Sequence, residues 1–284
     1  MKIAYQGEPG AFSEAASRRI DRDAQLVPCR SFEEVFDSVD AGPAGYGVLP
    51  IENSIGGSIH RNYDLLLERT LPIVGEVELP VVHHLLALPG ATLEGLRRVY
   101  SHPQGLAQCE RFLRTLTNVE IVATYDTAGS AKMVADGKLA DTAAIASARA
   151  GEIFGLSALA SSIQDFDDNI TRFLVIGRRP LRNAIADKTT IVFTIPNEPG
   201  ALFKALSVFA LRGVDLTKLE SRPIPGRPWE YLFYADLNAA RDELSCGRAL
   251  SHLAEFAPML RTLGSYASWK SHEGWLPDPF EVVS

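Results

Sequence analysis

The feature that most constrains the fold is a repeated alternation of short apolar runs and amphipathic segments between residues 3 and 177. Apolar runs such as residues 46–49 and 143–146 have the length of buried strands. The segments between them place apolar residues at helical spacing, and one opens with a capping box at residues 31–34. Repeated strand–helix units of this kind predict a mainly parallel α/β sheet.

Composition narrows the class of ligand. The formal net charge of −7 argues against non-specific nucleic-acid binding, and no basic run or basic–aromatic stripe is present. An anionic ligand would therefore need a local pocket, because the overall field repels it. The three cysteines, Cys29, Cys109 and Cys246, are far apart and form no CxxC motif, so neither a disulfide framework nor a zinc site is expected.

No segment of the sequence has the pattern of a membrane span. Residues 1–7 lack the apolar core of a secretory signal. The most apolar stretch, residues 79–88, contains His83 and His84 and is too short to cross a bilayer. We therefore expect a cytoplasmic protein that binds neither membrane nor nucleic acid.

The motifs of the common cofactor classes are absent from the sequence. It contains no GxGxxG, P-loop, HExxH or GxSxG motif. His83 and His84 have no nearby Cys or His partner, so a hydrogen-bonded core histidine is favoured over a metal ligand. No cofactor and no metal is expected.

Polar clusters follow several of the predicted strands, at or near a helix start. They lie at residues 10–13, 52–54, 101–104 and 126–127. Ligands of open α/β sheets bind outside the carboxyl ends of the strands, and helix N-termini there favour anions. Each cluster alone fits a capping role equally well. Together they predict a pocket for a small, negatively charged molecule.

A further polar stretch, residues 168–173, runs directly into the apolar residues 174–176, as a loop entering a buried strand does. Polar groups at such a position must be satisfied by neighbours, water or a ligand. Two interpretations are open. The stretch is either a hydrogen-bonded strand start or the edge of an active site, with Thr171 as a donor and Arg172 as an anion clamp.

The pattern changes after a predicted linker at residues 181–187. Residues 189–266 alternate in the order strand, helix, strand, strand, helix, strand, which predicts a separate antiparallel α+β module with its helices on one face. The polar, proline-broken residues 271–284 are predicted to form a loose tail.

Five motifs in order carry a resemblance to a known family. They are Pro9-Gly10-Ala11-Phe12-Ser13-Glu14, Pro50-Ile51-Glu52-Asn53-Ser54, Ser101-His102-Pro103-Gln104, Asp126-Thr127-Ala128-Gly129 and Asn169-Ile170-Thr171-Arg172-Phe173. This set resembles the motifs of prephenate dehydratases. The C-terminal module, with Pro199-Gly200-Ala201-Leu202 and Glu220-Ser221-Arg222-Pro223, resembles the ACT regulatory domain of the same enzymes.

The resemblance implies an α/β fold with two catalytic lobes arranged like a periplasmic binding protein, followed by a ferredoxin-like ACT domain. The catalytic domain would be residues 1–180, with lobe one at 1–77 and 171–180 and lobe two at 78–170. The ACT domain would be residues 188–268 and the tail 269–284. The substrate would lie between the lobes, near crossovers at residues 77–80 and 169–173.

The activity implied is the conversion of prephenate to phenylpyruvate with loss of CO2 and water, in phenylalanine biosynthesis. The ACT domain implies feedback control by L-phenylalanine in a homodimer or homotetramer. The proton for the departing hydroxyl would come from Thr171, Glu52 or Gln104, an open choice. Substrate contacts carried over are Arg172, Asn53, Ser54, Ser101, Ala11, Phe12, Ser13, Thr127, Ala128, Asn169 and Phe173. Effector contacts carried over are Asn197, Glu198, Pro199, Gly200, Ala201, Leu202, Glu220, Ser221 and Arg222.

Alternatives to this interpretation remain. The family often has Thr where this chain has Ala11, and Val where it has Phe203. Ala11 and the 127–129 motif are similar to arogenate dehydratases, which makes arogenate an alternative substrate. Arg172 could instead form a structural ion pair with one of the acids at positions 165, 167 and 168. A non-catalytic two-lobed sensor of an amino or keto acid is the other alternative.

Overall fold

The computed structural model describes residues 1–181, 185–224 and 226–271, so the predicted tail and the middle of the predicted linker lie almost wholly outside the described residues. The described chain forms two compact units. One contains Met1–Tyr63 and Val77–Leu174, and the other contains Asp64–Glu76 and the described residues between 175 and 271. The predicted boundary at residue 180 stays a prediction, and the second unit also takes in a segment from the N-terminal third of the chain.

The first sheet of the first unit has the strand order β5-β11-β3-β1-β2, with β4 paired to β3. Its strands are β1 (Lys2–Gln6), β2 (Gln25–Cys29), β3 (Tyr46–Asn53), β4 (Gly57–Ser58), β5 (Ile73–Pro80) and β11 (Ile170–Gly177). Its helices are α1 (Phe12–Ile20) and α2 (Phe32–Asp40), whereas α3 (His60–Glu68) begins in the first unit and ends in the segment Asp64–Glu76 of the second. Strand β1 runs parallel to both β2 and β3. The carboxyl ends of these two neighbours of β1 therefore meet at one edge of the sheet.

The second sheet has the order β10-β6-β9-β7-β8. Its strands are β6 (His84–Ala87), β7 (Arg98–Ser101), β8 (Glu120–Ala123), β9 (Thr142–Ala146) and β10 (Ser157–Ala160), and its helices are α4 (Pro103–Ala107), α5 (Glu110–Leu113), α6 (Thr127–Asp136) and α7 (Ala148–Phe154). Strand β7 is parallel to β8 and β9, whereas β6 is antiparallel to β9 and β10. The predicted α/β class is confirmed, with two sheets in place of one mainly parallel sheet. Strand β10 escaped prediction because its small, largely exposed residues have no apolar alternation.

Two crossovers connect the two sheets of this unit, after β5 and before β11. The backbone N–H of Val81 donates to the backbone oxygen of Asn169 across 2.7 Å, so the crossovers lie side by side.

Helix α2 shows how local sequence positions this framework. Ser31 Oγ accepts the backbone N–H of Glu34 at 3.2 Å, and Glu34 Oε2 accepts the backbone N–H of Arg30 at 2.6 Å, which closes the predicted capping box. Val35 and Phe36 face the core, fully buried, at the predicted helical spacing. The cap therefore fixes where the helix begins, and its apolar stripe fixes which face packs on the sheet.

The second unit contains the predicted βαββαβ module. Its elements are β12 (Lys188–Thr194), α8 (Ala201–Ala210), β13 (Leu216–Ile224), β14 (Arg227–Leu237), α9 (Leu244–Ala254) and β15 (Met259–Tyr266). The strand order β13-β14-β12-β15 is antiparallel throughout. Its core packs both helices against the sheet, with Ile191, Phe193, Phe209 and Leu253 fully buried.

Polar contacts tie the segment Asp64–Glu76 to the rest of this unit. Lys188 Nζ lies 2.6 Å from Glu76 Oε1, and both side chains are largely buried. Arg222 Nη1 lies 2.8 Å from Asp64 Oδ1. Buried, hydrogen-bonded ion pairs are costly to break by removing one partner.

In the part of the chain that the structure describes, no helix is both long and apolar enough to cross a lipid bilayer.

Two leucines of α9 provide a matched test of this core. Leu253 is 0% exposed, whereas Leu244 is 67% exposed. We expect Leu253→Ala to lower the free energy of unfolding by about 2–5 kcal/mol through the cavity it leaves. Leu244→Ala should change it by less than about 0.5 kcal/mol. Urea unfolding followed by circular dichroism measures both, and equal losses would contradict the described packing.

Candidate active site

A cleft of about 450 Å³ in the first unit collects residues from both of its sheets. Each of the five polar stretches singled out in the sequence supplies at least one lining residue. The predicted site residues that line the cleft are Ala11, Phe12, Ser13, Asn53, Gln104, Thr127, Thr171 and Phe173. Segments that are scattered over the first 173 residues of the chain thus meet around one crevice.

Several predicted site residues do not line the cleft and have structural contacts instead. Ser101 is fully buried and its hydroxyl donates to the backbone oxygen of Ile145 at 2.8 Å. Ser54 Oγ donates to the backbone oxygen of Asp168 at 2.8 Å and accepts the Ile170 N–H at 2.9 Å. The others outside the lining are Glu52, Ala128, Asn169 and Arg172. Ser54 and Ser101 therefore hold the loops in place.

The position of Arg172 follows from strand geometry. Thr171 and Phe173 line the cleft, and Arg172 lies between them on β11. Successive side chains of a strand point to opposite faces of the sheet. Strand alternation thus accounts for the absence of Arg172 from the lining residues, and its role as an anion clamp stays a prediction.

Three side-chain amides form a closed ring of hydrogen bonds beside the cleft. Asn53 Nδ2 donates to Asn169 Oδ1 at 2.7 Å, and Asn169 Nδ2 donates to Gln108 Oε1 at 3.0 Å. Gln108 Nε2 closes the ring by donating to Asn53 Oδ1 at 3.1 Å. All three residues are buried, so these bonds satisfy amide groups that water does not reach. We call Asn53, Asn169 and Gln108 the amide ring.

The amide ring is anchored to the backbone and to a hydroxyl. Asn53 Oδ1 also accepts the backbone N–H groups of Ile55 at 3.1 Å and Gly56 at 2.7 Å. Asn53 Nδ2 lies 3.0 Å from Thr171 Oγ1. The hydroxyl of Thr171 is thus held at the cleft by a side chain from a neighbouring strand of the same sheet.

His83 is a cleft residue that no sequence motif marked. It is 1% exposed, lines the cleft, and stands edge-on to the ring of Phe12 with 5.4 Å between ring centres. Its Nε2 lies 2.8 Å from Gln108 Oε1. Burial lowers the pKa of the imidazole, so His83 is neutral at pH 7. It is a hydrogen-bonded core histidine, as expected, and also a wall of the cleft.

Charged residues at the cleft were also missed. Arg30, from the loop before α2, is among its lining residues. Asp126 caps α6 by accepting the Ala128 N–H at 2.8 Å, and it accepts the Glu8 N–H at 3.2 Å. Burial raises the pKa of Asp126, while these backbone donors oppose the rise. Further lining residues without a predicted role are Gln6, Ser31, Phe32, Glu33, Pro50, Ile59, Val81, His102, Gly105, Gln108 and Tyr125.

The second unit has its own pocket, of about 410 Å³, at the start of α8. Predicted effector contacts that line it are Asn197, Glu198, Gly200, Ala201 and Leu202, and they are joined by Phe203, Trp229 and Tyr231. Pro199, Glu220, Ser221 and Arg222 are not among its lining residues. Arg222 is paired with Asp64, and Glu220 Oε2 lies 3.2 Å from Lys218 Nζ.

Comparison with known proteins gives the family. The family model "Prephenate dehydratase" matches residues 3–181, and the model "ACT domain" matches residues 189–244. An Arabidopsis thaliana protein named arogenate dehydratase/prephenate dehydratase 6, chloroplastic, is 50% identical over 283 residues, which cover 94% of this chain and 68% of that protein. The resemblance seen in the sequence is therefore confirmed.

Solved structures agree with this assignment. The crystal structure of an Arthrobacter aurescens prephenate dehydratase in complex with L-Phe has a TM-score of 0.87 and 32% identity, and the match covers 98% of this chain and 94% of that chain. A protein described as GqqA, a novel type of quorum quenching acylase, has a TM-score of 0.84 and 36% identity over 94% of this chain and 98% of that chain.

The relatives also overturn one prediction. The expected cytoplasmic location is contradicted, because three of the similar Arabidopsis thaliana proteins are named chloroplastic. Composition and hydropathy led to that error, since soluble proteins of different compartments share both properties.

Three observations indicate the same family. The dehydratase family model spans most of the chain, the ACT model follows it, and all five sequence motifs contribute residues to the cleft. The relatives are named arogenate or prephenate dehydratases, so the family to which they assign the chain is one of dehydratase lyases of phenylalanine biosynthesis. The chain belongs to the prephenate dehydratase family and carries a C-terminal ACT domain.

Proposed function

We propose that this protein converts prephenate to phenylpyruvate, CO2 and water in the cleft of its first unit. The observation that carries the proposal is the meeting of Phe12, Asn53, Gln104, Thr127 and Thr171 around one crevice. These residues come from three helices and two strands, and a purely structural explanation would have to account for each of them independently.

The reaction needs little covalent help from the protein. The electron pair of the bond to the ring carboxylate moves into the ring as CO2 leaves. The ring hydroxyl departs from the opposite carbon and takes up one proton to become water, and the ring becomes aromatic. The protein therefore has to supply orientation, a proton donor at the departing hydroxyl and an apolar seat for the departing carboxylate. Phe12 and Phe173 line the cleft and would form that seat.

Thr171 is the proposed donor at the departing hydroxyl. It lies on the cleft wall, and its Oγ1 is held 3.0 Å from Asn53 Nδ2. A threonine hydroxyl is a weak acid, so its contribution is an oriented hydrogen bond that strengthens as charge develops on the leaving oxygen. Gln104, also on the lining, is a second candidate donor.

Replacing Thr171 tests this role. We expect Thr171→Ala to lower kcat by about 10²–10⁴-fold, the usual range for a positioned proton donor, with a small change in KM. Thr171→Ser keeps the hydroxyl and should retain most of the turnover. Steady-state kinetics with prephenate measure both variants, and near-normal turnover in Thr171→Ala would remove the proposed role.

Arg30 is the proposed partner of the substrate's side-chain carboxylate. It is a lining residue of the cleft, and guanidinium groups bind carboxylates through paired hydrogen bonds. A cation beside the ring carboxylate would instead stabilise the charge that has to be lost. Binding of the other carboxylate therefore orients the substrate without opposing the chemistry.

Substitution of Arg30 should separate binding from chemistry. Because a hydrogen bond to a charged group contributes about 1.5–3 kcal/mol, Arg30→Met is expected to raise KM by roughly 10–100-fold with kcat little changed. Arg30→Lys keeps the charge but not the planar guanidinium, so its KM should lie between the KM of the unsubstituted protein and that of Arg30→Met. An unchanged KM in Arg30→Met would exclude this side chain as the carboxylate partner.

Arogenate is a second candidate substrate, and the buried carboxylate of Asp126 favours it. Arogenate carries an ammonium group where prephenate has a keto oxygen, and Asp126 lines the cleft. Ala11 also lines the cleft, and alanine at this position resembles the motif of arogenate dehydratases. The relatives include proteins named arogenate dehydratase and proteins named arogenate dehydratase/prephenate dehydratase. Measuring phenylpyruvate formed from prephenate and phenylalanine formed from arogenate gives kcat/KM for each. Turnover of neither substrate would leave a non-catalytic sensor and contradict the proposal.

We further propose that L-phenylalanine binds in the pocket of the second unit and inhibits the dehydratase reaction. The ACT match and the Phe-bound relative support this proposal. Ala201 and Leu202 would seat the apolar ring, and the backbone of residues 197–200 would meet the polar groups. Phe203 and Trp229 expose large apolar surfaces beside the pocket, which favours an effector site at the contact of two subunits in a homodimer or homotetramer.

Two leucines of the α8 region provide a test of the effector site. Leu202 lines the pocket and is 36% exposed, whereas Leu211 follows the same helix and is 81% exposed. Leu202→Arg places a charge at the apolar seat and should raise the phenylalanine concentration needed for half inhibition at least tenfold, about 1.4 kcal/mol of binding. Leu211→Arg should leave that concentration within about twofold, since exposed substitutions rarely matter. Identical responses in both variants would count against the pocket.

A further inference from the structure

We propose that the amide ring is a positioning device that sets the direction of the hydrogen bonds offered to the cleft. It makes Thr171 a donor towards the ligand and His83 Nδ1 an acceptor. The catalytic consequence rests on the proposed dehydratase function, whereas the hydrogen-bond direction itself does not.

The direction starts at the backbone. The N–H groups of Ile55 and Gly56 can only donate, and both point at one atom of the Asn53 amide. That atom must be the oxygen, because two donors cannot share the NH2 group. The NH2 group of Asn53 therefore faces Thr171 Oγ1 at 3.0 Å, and Thr171 accepts this bond. The single proton of the Thr171 hydroxyl is left for a different acceptor.

The rest of the amide ring follows from this first choice. With the Asn53 oxygen fixed, Gln108 must present its NH2 group to it, and Asn169 must present its oxygen to the Asn53 NH2 group. The Asn169 NH2 group and the Gln108 oxygen are then left facing each other, so Asn169 Nδ2 donates to Gln108 Oε1. Flipping any one amide would place two donors or two acceptors together in a buried site, which costs about 1–3 kcal/mol per unsatisfied group.

The same choice fixes the tautomer of His83. Gln108 Oε1 can only accept, so the proton of the neutral imidazole is on Nε2, 2.8 Å away. The Nδ1 atom then carries a lone pair. It is buried and finds no hydrogen-bond partner among the described residues. A buried acceptor without a partner is unfavourable until a ligand donates to it.

The cleft wall therefore contains two groups of opposite kind, the hydroxyl proton of Thr171 and the buried lone pair of His83 Nδ1. Both connect to the amide ring, Thr171 through Asn53 and His83 through Gln108. In the proposed reaction the departing hydroxyl needs a donor, and no protein acceptor at Asn53 competes for the Thr171 proton. The amide ring thus acts through Thr171, and its members are positioning residues.

Two isosteric substitutions separate positioning from mere structural support. Asn53→Asp removes the donor to Thr171, so the hydroxyl turns inward and donates to the introduced carboxylate. Asn169→Asp adds the same charge to the same ring but leaves Asn53 donating to Thr171. Each variant brings two oxygens together at one ring contact. Asn53→Asp also places a carboxylate oxygen near the backbone oxygen of Ile170, to which Asn53 Nδ2 donates at 3.3 Å, so the pH dependence of kcat is needed beside the size of the loss.

We expect Asn53→Asp to lower kcat by about 100-fold or more, in the range for a misplaced proton donor, with KM within about threefold. The loss in Asn169→Asp should be at least tenfold smaller. The ratio of the Asn53→Asp kcat to the unsubstituted kcat should rise as the pH falls, because a protonated carboxyl can donate to Thr171 again. Equal losses in the two variants, or a ratio that does not change with pH, would overturn the proposal.

A spectroscopic measurement on the unsubstituted protein decides the hydrogen-bond direction without any activity. The ¹⁵N chemical shifts of the His83 ring, assigned by their loss in His83→Gln, should report the Nε2–H tautomer at pH 7. An Nδ1–H tautomer or an imidazolium would overturn the inference, even if the aspartate variants fail to fold. If neither prephenate nor arogenate is turned over but the Nε2–H tautomer is observed, the proposed function fails and the directional ring stands.

Discussion

The site depends on two backbone N–H groups, those of Ile55 and Gly56, that converge on the side-chain oxygen of Asn53. Backbone donors cannot reverse, so the direction of every bond in the amide ring is derived from them. The loop after β3 is therefore more than a connection between elements. Its main-chain geometry decides which atom of Asn53 faces Thr171, and through the ring which nitrogen of His83 carries a proton.

This arrangement explains why amides occupy the three ring positions. A carboxylate only accepts and an ammonium group only donates, so neither can both accept from one neighbour and donate to the next. An amide can do both while remaining uncharged, which avoids the cost of burying a charge. The polar ring is buried among residues of the first unit, and every bond in it is made between side chains from distant parts of the chain. Such a network holds the two sides of the cleft in a single arrangement.

Much of the fold could be predicted from the sequence because local patterns determine it. The capping box of Ser31 and Glu34 and the βαββαβ order after residue 188 each depend on near neighbours, and both were found where expected. The parts that were missed depend on tertiary context. Residues 157–160 are a strand only because β6 pairs with them. Arg172 is not a lining residue of the cleft although both of its neighbours are, because side chains alternate between the two faces of a strand.

Only those residues of the candidate site that belong to a sequence motif could be predicted. Thr171, Asn53 and Gln104 stand in polar clusters at strand or helix ends, and such clusters have a recognisable signal. Gln108 ends a short helix and His83 lies in an apolar run, so nothing near them in sequence marks either as part of a cleft. Their role arises from a contact of 2.8 Å between residues 25 positions apart.

The hydrogen bond between the Val81 N–H and the Asn169 oxygen has a mechanical consequence. It fastens the outgoing crossover to the returning one, at a residue whose side chain also completes the amide ring. Asn169 therefore links the two crossovers through its backbone and the two sides of the cleft through its side chain. The contact between Asn53 and Thr171 lies within one sheet and takes its direction from the Ile55 and Gly56 N–H groups, so a displacement of the crossovers would reach Asn169 without reversing the bond at Thr171.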